Sequence, residues 1–327
     1  MASNDSNDSF PRLLGDIGGT NARFAWQPAP GSALSDIATY PCKNHPSLLA
    51  AAQHYLSAHG KPAPRWFAIG IANPVTGDHV QMTNHDWSFS ISAVQAALGA
   101  ERFLVVNDFT ALALALPRLS AAEKYQVGGG EAVAGEPVGL VGPGTGLGVS
   151  GLVPMARGRG MLPLGGEGGH VTLGGGNELE DAVIRELRQR FGHASAERAL
   201  SGPGLVNLYD ALCAVAGVAP QALTADQITA AAQAGTDPQC VQTEALFFSL
   251  LGSVAGNLAL SLGARGGMYI GGGIVPRLGA RIDASGFRSS FERKGRFESY
   301  LRAIPVYVVK AAVSPALIGA SQALDSL

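Results

Sequence analysis

Continuous apolar runs and stretches of helical period take turns along this chain. Trp66–Ala72 (WFAIGIA), Phe103–Val106 and Val138–Val141 are short, apolar and bounded by turn residues, the pattern of strands buried on both faces. Ser47–Ala58 has a helical apolar period with Ser47 placed to cap it, and Ser90 is placed to cap a helix through Leu98. An alanine- and leucine-rich helix is expected from Phe109 to Leu116, stopping at Pro117. Asn177–Phe191 is amphipathic and closed by Gly192, and Ser195 is placed to cap a short helix carrying Glu197. Another helix starts at Ser201 and runs to about Val215; Gly217–Pro238 is expected to be helical in part. Met268–Ile270 and Pro305–Val309 read as strands, Phe287–Phe297 as a mixed, mobile connection, and Ser314–Leu324 as a closing helix. Strands alternating with helices predict an α/β fold.

Two stretches repeat one pattern. Leu14–Ala25 is an apolar entry, a carboxylate at Asp16, a turn at Gly18–Gly19 and Thr20, and a returning strand; Val138–Val153 is a strand, the turn Gly142–Gly148 with Thr145, and a returning strand. Such turns bring backbone N–H groups close to a ligand and can cradle phosphate oxygens. An ordinary hairpin needs glycine too. The echo suggests two similar half-domains, each contributing one phosphate-facing hairpin. Gly146-x-Gly148-x-x-Gly151 matches the dinucleotide fingerprint by letter, but a strand follows it where that fingerprint needs a helix. The chain carries no G-x-x-x-x-G-K-[ST].

Composition narrows the class. The 327 residues allow two domains, and 46% apolar with 15% charged residues describes a globular chain. Glycine is the unusual feature: 44 residues, clustered at the turns just named and at Gly165–Gly176 and Gly271–Gly273. A net charge of −2 gives no footprint for nucleic acid or anionic membrane. Cys42, Cys213 and Cys240 are odd in number and far apart, which argues against a disulfide framework and for a reducing, cytoplasmic setting. Met1–Ser9 is polar and acidic and reads as a disordered leader rather than a signal peptide. Ala245–Leu262 is uncharged and almost long enough to span a bilayer, yet its glycines, asparagine and serines favour a helix crossing a domain core.

The candidate chemistry lies at strand ends. Asn107 and Asp108 stand between a buried strand and a helix, where sites in open α/β sheets are found; Asp108 is equally placed to be the helix N-cap. Asp16 offers one carboxylate to a hydrated Mg²⁺. Glu167 and His170 lie in a glycine-rich loop (LGGEGGH) too rich in glycine for a helix, and an extended loop there suits hydrogen bonding to a polyhydroxylated ligand. Gly271–Gly273, just after a strand, permits close backbone approach, as an adenine ring on the loop would require.

The motifs GDIGGTNAR (Gly15–Arg23), MTNHDW (Met82–Trp87), NDFT (Asn107–Thr110), GPGTGLG (Gly142–Gly148) and LGGEGGH (Leu164–His170) occur in this order. They are followed by SAERALSGPG (Ser195–Gly204), NLAL (Asn257–Leu260), GGGIVP (Gly271–Pro276) and GFRSSFERKGRF (Gly286–Phe297). Together they resemble the bacterial ATP-dependent glucokinases that lack the zinc-binding repressor/kinase signature, within the acetate and sugar kinase/actin superfamily. The resemblance runs from Leu13 to about Ala320; Pro143 and the polar leader depart from it.

It implies two ribonuclease-H-like (actin-like ATPase) α/β domains around a central cleft, the smaller comprising residues 1–117 plus 311–327 and the larger 118–310. By the same resemblance Asp108 is the general base for the sugar 6-hydroxyl, and Asn107, Glu167, His170 and Glu197 join it in binding glucose. Gly15, Asp16, Ile17, Gly18, Gly19, Thr20, Gly144 and Thr145 form the phosphate loops, with Asp16 near Mg²⁺, and Gly271, Gly272 and Gly273 lie near adenosine. The implied cofactors are ATP and Mg²⁺, with no structural zinc, and the implied assembly is a homodimer. Two other readings share these loops: a kinase for another hexose, and a sugar sensor that binds without transfer. The short leader leaves no room for the helix-turn-helix such sensors carry, and an intact Asp108 favours catalysis.

Overall fold

In a computed structural model, described over residues 9–83, 85–155, 160–310 and 314–326, the chain divides into two compact units, Met1–Leu119 with Ala311–Leu327 and Ser120–Lys310. Residues 1–8 of the leader and Asn84 of the MTNHDW motif lie outside the described residues.

The first unit is built on strands β1 (Arg12–Ile17), β2 (Asn21–Gln27) and β3 (Ser35–Pro41), helix α1 (Leu48–Ala58) and strand β4 (Trp66–Ile71). A small β5 (His79–Gln81) and β6 (Ser88–Ser90) ribbon, α2 (Ile91–Leu98), β7 (Arg102–Asn107) and α3 (Asp108–Ala115) complete it. The sheet order is β3-β2-β1-β4-β7. The first three strands form an antiparallel meander, while β4 and β7 run parallel to β1.

Side chains on a strand alternate between faces, and β1 shows the consequence. Leu13 and Ile17 join one core with Tyr55 of α1, Val94 of α2 and the aromatic residues Phe24, Phe67 and Phe103. Leu14, on the other face, packs with Ala25, Ala68 and the apolar side of the closing helix, Leu317, Ala320 and Leu324. Each such leucine contributes roughly 1.5–3 kcal/mol by leaving water.

The second unit repeats the arrangement with β8 (Lys124–Val127), β9 (Val138–Pro143), β10 (Leu147–Pro154), β11 (Met161–Gly165), β12 (Met268–Ile270) and β13 (Val306–Val309). Its order is β11-β10-β9-β12-β13-β8. Again a three-strand meander meets two parallel strands, here with β8 added antiparallel at the edge. Helices α4 (Glu178–Phe191), α5 (Gly202–Ala216), α6 (Ala225–Ala234) and α7 (Pro238–Leu262) lie between the meander and the parallel strands in sequence. Short helices α8 (Ile274–Leu278), α9 (Phe287–Glu292) and α10 (Glu298–Arg302) follow β12, and α11 (Pro315–Asp325) returns to the first unit.

The expected caps form, Ser47 accepting from Ala50 N–H and Ser90 from Ala93 N–H, and Asn177 and Ser201 likewise cap the helices that follow them, accepting from Glu180 N–H and Gly204 N–H. Helix α7 begins seven residues before the uncharged run, capped by Asp237. Its length and composition alone would let it cross a membrane, but half of its apolar stretch is buried within the unit, with Phe247, Phe248, Leu250 and Leu251 in the core.

Three expectations need correction. Phe287–Phe297 is not a mobile connection: Phe287 and Phe291 are fully buried on one side of α9 and pack in the α7 core. Gly168–His170 forms a 3-10 turn rather than an extended loop, because a single turn needs no side-chain support and glycine tolerates it. Ser195 precedes the Ala196–Arg198 turn without a capping side-chain bond. Strands β3, β8 and β11 carry too weak an alternation to be read from sequence; β3 is half-exposed throughout.

Candidate active site

At the carboxyl edge of the first sheet, register pairs Ile17 with Ile71 and Ile71 with Asn107. Neighbouring strands lie about 4.8 Å apart, so the Gly18–Thr20 turn, the Asn73 turn and the Asn107–Asp108 pair emerge side by side. The turn is held by Gly18 N–H donating to Asn21 O (3.0 Å) and Cys42 N–H to Thr20 O (2.8 Å). The Cys42 thiol donates to Gly18 O at 3.3 Å, and burial pushes its pKa up, keeping it a donor at neutral pH. Gly15 and Ile17 are buried in β1; Gly18 and Gly19 are half-buried and Thr20 is exposed.

Asp16 faces the closing helix. Its Oδ2 accepts from Ser314 Oγ at 2.6 Å and pairs with Arg23 at 3.2 Å. Asn107, not Asp108, is the helix cap: its Oδ1 accepts from Phe109 N–H (2.9 Å) and Thr110 N–H (3.3 Å). Asp108 is the first residue of α3, half-buried, with Oδ1 also accepting from Phe109 N–H at 2.9 Å. The cap thus occupies the Asn107 carbonyl, leaving its Nδ2 pointing weakly at Asn73 O, 3.5 Å away. Asn73 was legible only as part of a turn; its Oδ1 accepts from Thr83 N–H (2.9 Å) and Oγ1 (2.5 Å), fixing the neighbouring loop.

The second unit gathers two groups. Around Leu147, its N–H donates to Glu197 Oε2 at 2.9 Å, and Gly169 of the Glu167–His170 turn lies against its carbonyl. A bridge between Thr172 and Ser195 ties that turn to the Glu197 segment. Glu167 and His170 are exposed, Glu197 half-buried. Gly146 has room for a side chain only if Glu197 moves: a Cβ there would stand 2.5 Å from Glu197 Oε2.

The second group surrounds the hairpin turn. Gly144 O accepts from Gly202 N–H (2.8 Å) at the start of α5, and Gly271 N–H donates to Val141 O (2.9 Å). Gly272 has φ +73°, and a Cβ on it would lie 2.2 Å from Pro143 O, so only glycine lets the two loops touch. Beside them a cavity of about 560 Å³ is lined by Gly144, Thr145, Gly202, Thr224, Asp226 and Arg277, among others. Its size is that of a small-molecule site, and its edge carries the Gly144–Thr145 turn beside the start of α5. Arg277, which the sequence reading passed over, is anchored by donating to Gly273 O at 2.7 Å. Below it Arg281 pairs with Glu244 at 2.8 Å; burial raises the Glu244 pKa, with Arg281 opposing the shift.

The repeated order of a three-strand meander followed by two parallel strands, each with a glycine turn at its carboxyl edge, defines the two-domain actin-like ATPase fold used by sugar kinases. A solved glucokinase from an Antarctic psychrotroph aligns with TM-score 0.90 at 37% identity, over 97% of this chain and 99% of that one. A glucokinase of the repressor/kinase (ROK) family from Streptomyces griseus, solved with glucose and AMPPNP, shares the fold at TM-score 0.64 and 18% identity, over 96% and 99% of the two chains. In sequence, the glucokinase of Aromatoleum aromaticum is 57% identical over 98% of this chain and 96% of its own. The glucokinase family model matches residues 13–327. The chain belongs to the glucokinase family.

Proposed function

We propose that this protein transfers the γ-phosphate of ATP to the 6-hydroxyl of glucose, giving glucose 6-phosphate and ADP. As a member of its family it is an ATP-dependent hexose kinase. The observation that carries the reading is the alignment of Asn107–Asp108 with the Gly18–Thr20 turn, two strands apart at one sheet edge with Ile71 of β4 between them. In it Asp108 accepts the proton of the attacking hydroxyl, since a carboxylate opening a helix is held in place by backbone geometry rather than by a flexible loop. Phosphoryl transfer passes through a loose transition state, so holding the hydroxyl in line does most of the work.

Glu167, His170 and Glu197, gathered around Leu147, bind the remaining sugar hydroxyls, with Asn107 contributing its Nδ2 donors. A site built around particular hydroxyls rejects analogues lacking them by about 10⁴–10⁵. Thr145 and Gly144 cradle phosphates, and Gly271–Gly273 with Arg277 borders the adenosine. Asp16 fits Mg²⁺ as a half-buried carboxylate beside a phosphate-type turn, although its Oδ2 is already shared by Ser314 and Arg23. That sharing suits a hydrated ion held through its waters. When bound, Mg²⁺ neutralises charge on the β- and γ-phosphates. The superfamily placement, a homodimer and a cytoplasmic setting belong to the same reading.

The test is ADP production from ATP, with and without Mg²⁺, with glucose, fructose, mannose and N-acetylglucosamine as separate acceptors. A marked glucose preference that requires Mg²⁺ is expected. Stronger turnover of another sugar would keep Asp108 but overturn the roles given to Glu167, His170 and Glu197.

A further inference from the structure

We infer that the first unit carries a second small-molecule site, for an organic anion with an apolar body, at the end of its sheet opposite the Asp16 turn. A cavity of about 730 Å³ opens there between the start of β1, the Pro30–Leu34 turn and the last turns of α11. Its volume lies within the range of small-molecule sites.

The walls have two characters. Phe10, Trp66 and Ile318 supply apolar surface, and Arg12, Arg118 and Asp325 are the charged residues lining it, a net single positive charge. Arg12 is unusual: its side chain is only 3% exposed. Its guanidinium lies 4.0 Å from the centre of the Phe10 ring and donates to Ser9 Oγ (2.7 Å), Ser321 and Asp325 (2.7 Å). Its Nε is buried without a hydrogen-bond partner among the described residues. A buried arginine is costly unless its charge and donors are met. Here the counter-ion is Asp325, held at 2.7 Å but itself 48% exposed, so an incoming carboxylate or phosphate can reach Arg12 beside it or in its place. Arg118 is exposed and bonded to the neutral Gln322 (3.2 Å), so its charge remains available to the same anion.

The cavity is built on the element that also reaches Asp16. Alternation along β1 puts Arg12, Leu14 and Asp16 on the face covered by α11. Ser314 before the helix bonds Asp16, Leu317 and Ala320 pack with Leu14, and Ser321 and Asp325 bond Arg12. Arg12 and Asp16 are thus about 13 Å apart along the strand, and an anion that draws Asp325 off Arg12 acts on the helix whose other end positions Asp16.

The experiment measures binding of phenyl phosphate and benzoate by calorimetry, with glucose and a non-hydrolysable ATP analogue saturating, and phenol as the neutral control. Binding of at least one anion tighter than about 1 mM is expected, and none by phenol. Arg118→Glu should weaken it at least tenfold, and Ala33→Trp, which fills the exposed mouth, should abolish it; both change surface side chains and leave the fold intact. No anion binding, equal binding of phenol, or binding indifferent to both substitutions would overturn the assignment. Arg12→Met is an unsuitable test alone, because it strips four hydrogen bonds from the fold.

Discussion

Gly146→Ala separates a structural from a chemical role for the loop around Leu147. The new Cβ would stand 2.5 Å from Glu197 Oε2 and 3.3 Å from its Cδ, so something must move. Shifting Gly146 means distorting the β9–β10 turn; rotating the Glu197 carboxylate means leaving a favoured rotamer, at about 0.5–1.5 kcal/mol. Rotation also breaks its bond to Leu147 N–H, a charged hydrogen bond of about 1.5–3 kcal/mol. Because the carboxylate is the far end of a flexible chain and half-exposed, rotation is the cheaper path, and water recovers part of the lost bond. Stability should therefore fall by only about 1–2 kcal/mol.

Glucose recognition should suffer more. A carboxylate turned from its position loses a charged hydrogen bond to the sugar, again about 1.5–3 kcal/mol, or about 10- to 150-fold in kcat/KM. The assay is coupled ADP production with glucose varied at saturating ATP, then ATP varied at saturating glucose, beside a thermal melt. The glucose parameter should drop by that factor and the ATP KM stay within about twofold. Equal losses for both substrates would mean that the turn itself collapsed. Wild-type glucose kinetics in a protein that melts lower would remove Glu197 from sugar binding.

Other outcomes follow from the same geometry. Asp108→Ala should lower kcat by at least 10²–10⁴-fold, roughly the range of general-base catalysis, while calorimetry still detects glucose; near-normal turnover would remove Asp108 from the mechanism. Gly272→Ala should raise the ATP KM and lower stability, since left-handed strain of about 1–2 kcal/mol adds to a backbone clash with Pro143 O; an unchanged ATP KM would separate the Gly271–Gly273 loop from the nucleotide. Glu244, whose folded pKa is raised by burial, takes up protons more readily in the folded state, so its contribution to stability falls as pH rises through that pKa. Arg281→Met removes the charge opposing this shift, and its cost by urea melts should be larger at about pH 7 than at about pH 5; an equal cost at both would refute the coupling.

Much was legible before any coordinates, and for local reasons. Apolar runs flanked by turn residues marked β4, β7, β9 and β12, and serine or asparagine before a periodic stretch marked the starts of α1, α2, α4 and α5. These signals act within a few residues of chain. The echo of two glycine hairpins likewise suggested two similar half-domains, and the ordered motifs carried the family. Asp108 was placed at a strand end correctly, but which of Asn107 and Asp108 caps α3 was beyond the sequence, because they are adjacent and both can cap.

What tertiary structure decided lies at long sequence separation. Ser314 meets Asp16 across 298 residues, and Glu197 meets Leu147 across 50; no local pattern encodes such pairs. Phe287 and Phe291 read as part of a loose segment until α7 supplied the surface that buries them. Half-exposed edge strands such as β3 have no apolar signature, because ladder hydrogen bonds rather than burial hold them. Local signals marked most of the elements, the repeated half-domain and the family. Folding decided which polar groups share a neighbour, since that depends on how strands align and helices return, and the sheet edge that carries Asp108 is a property of alignment.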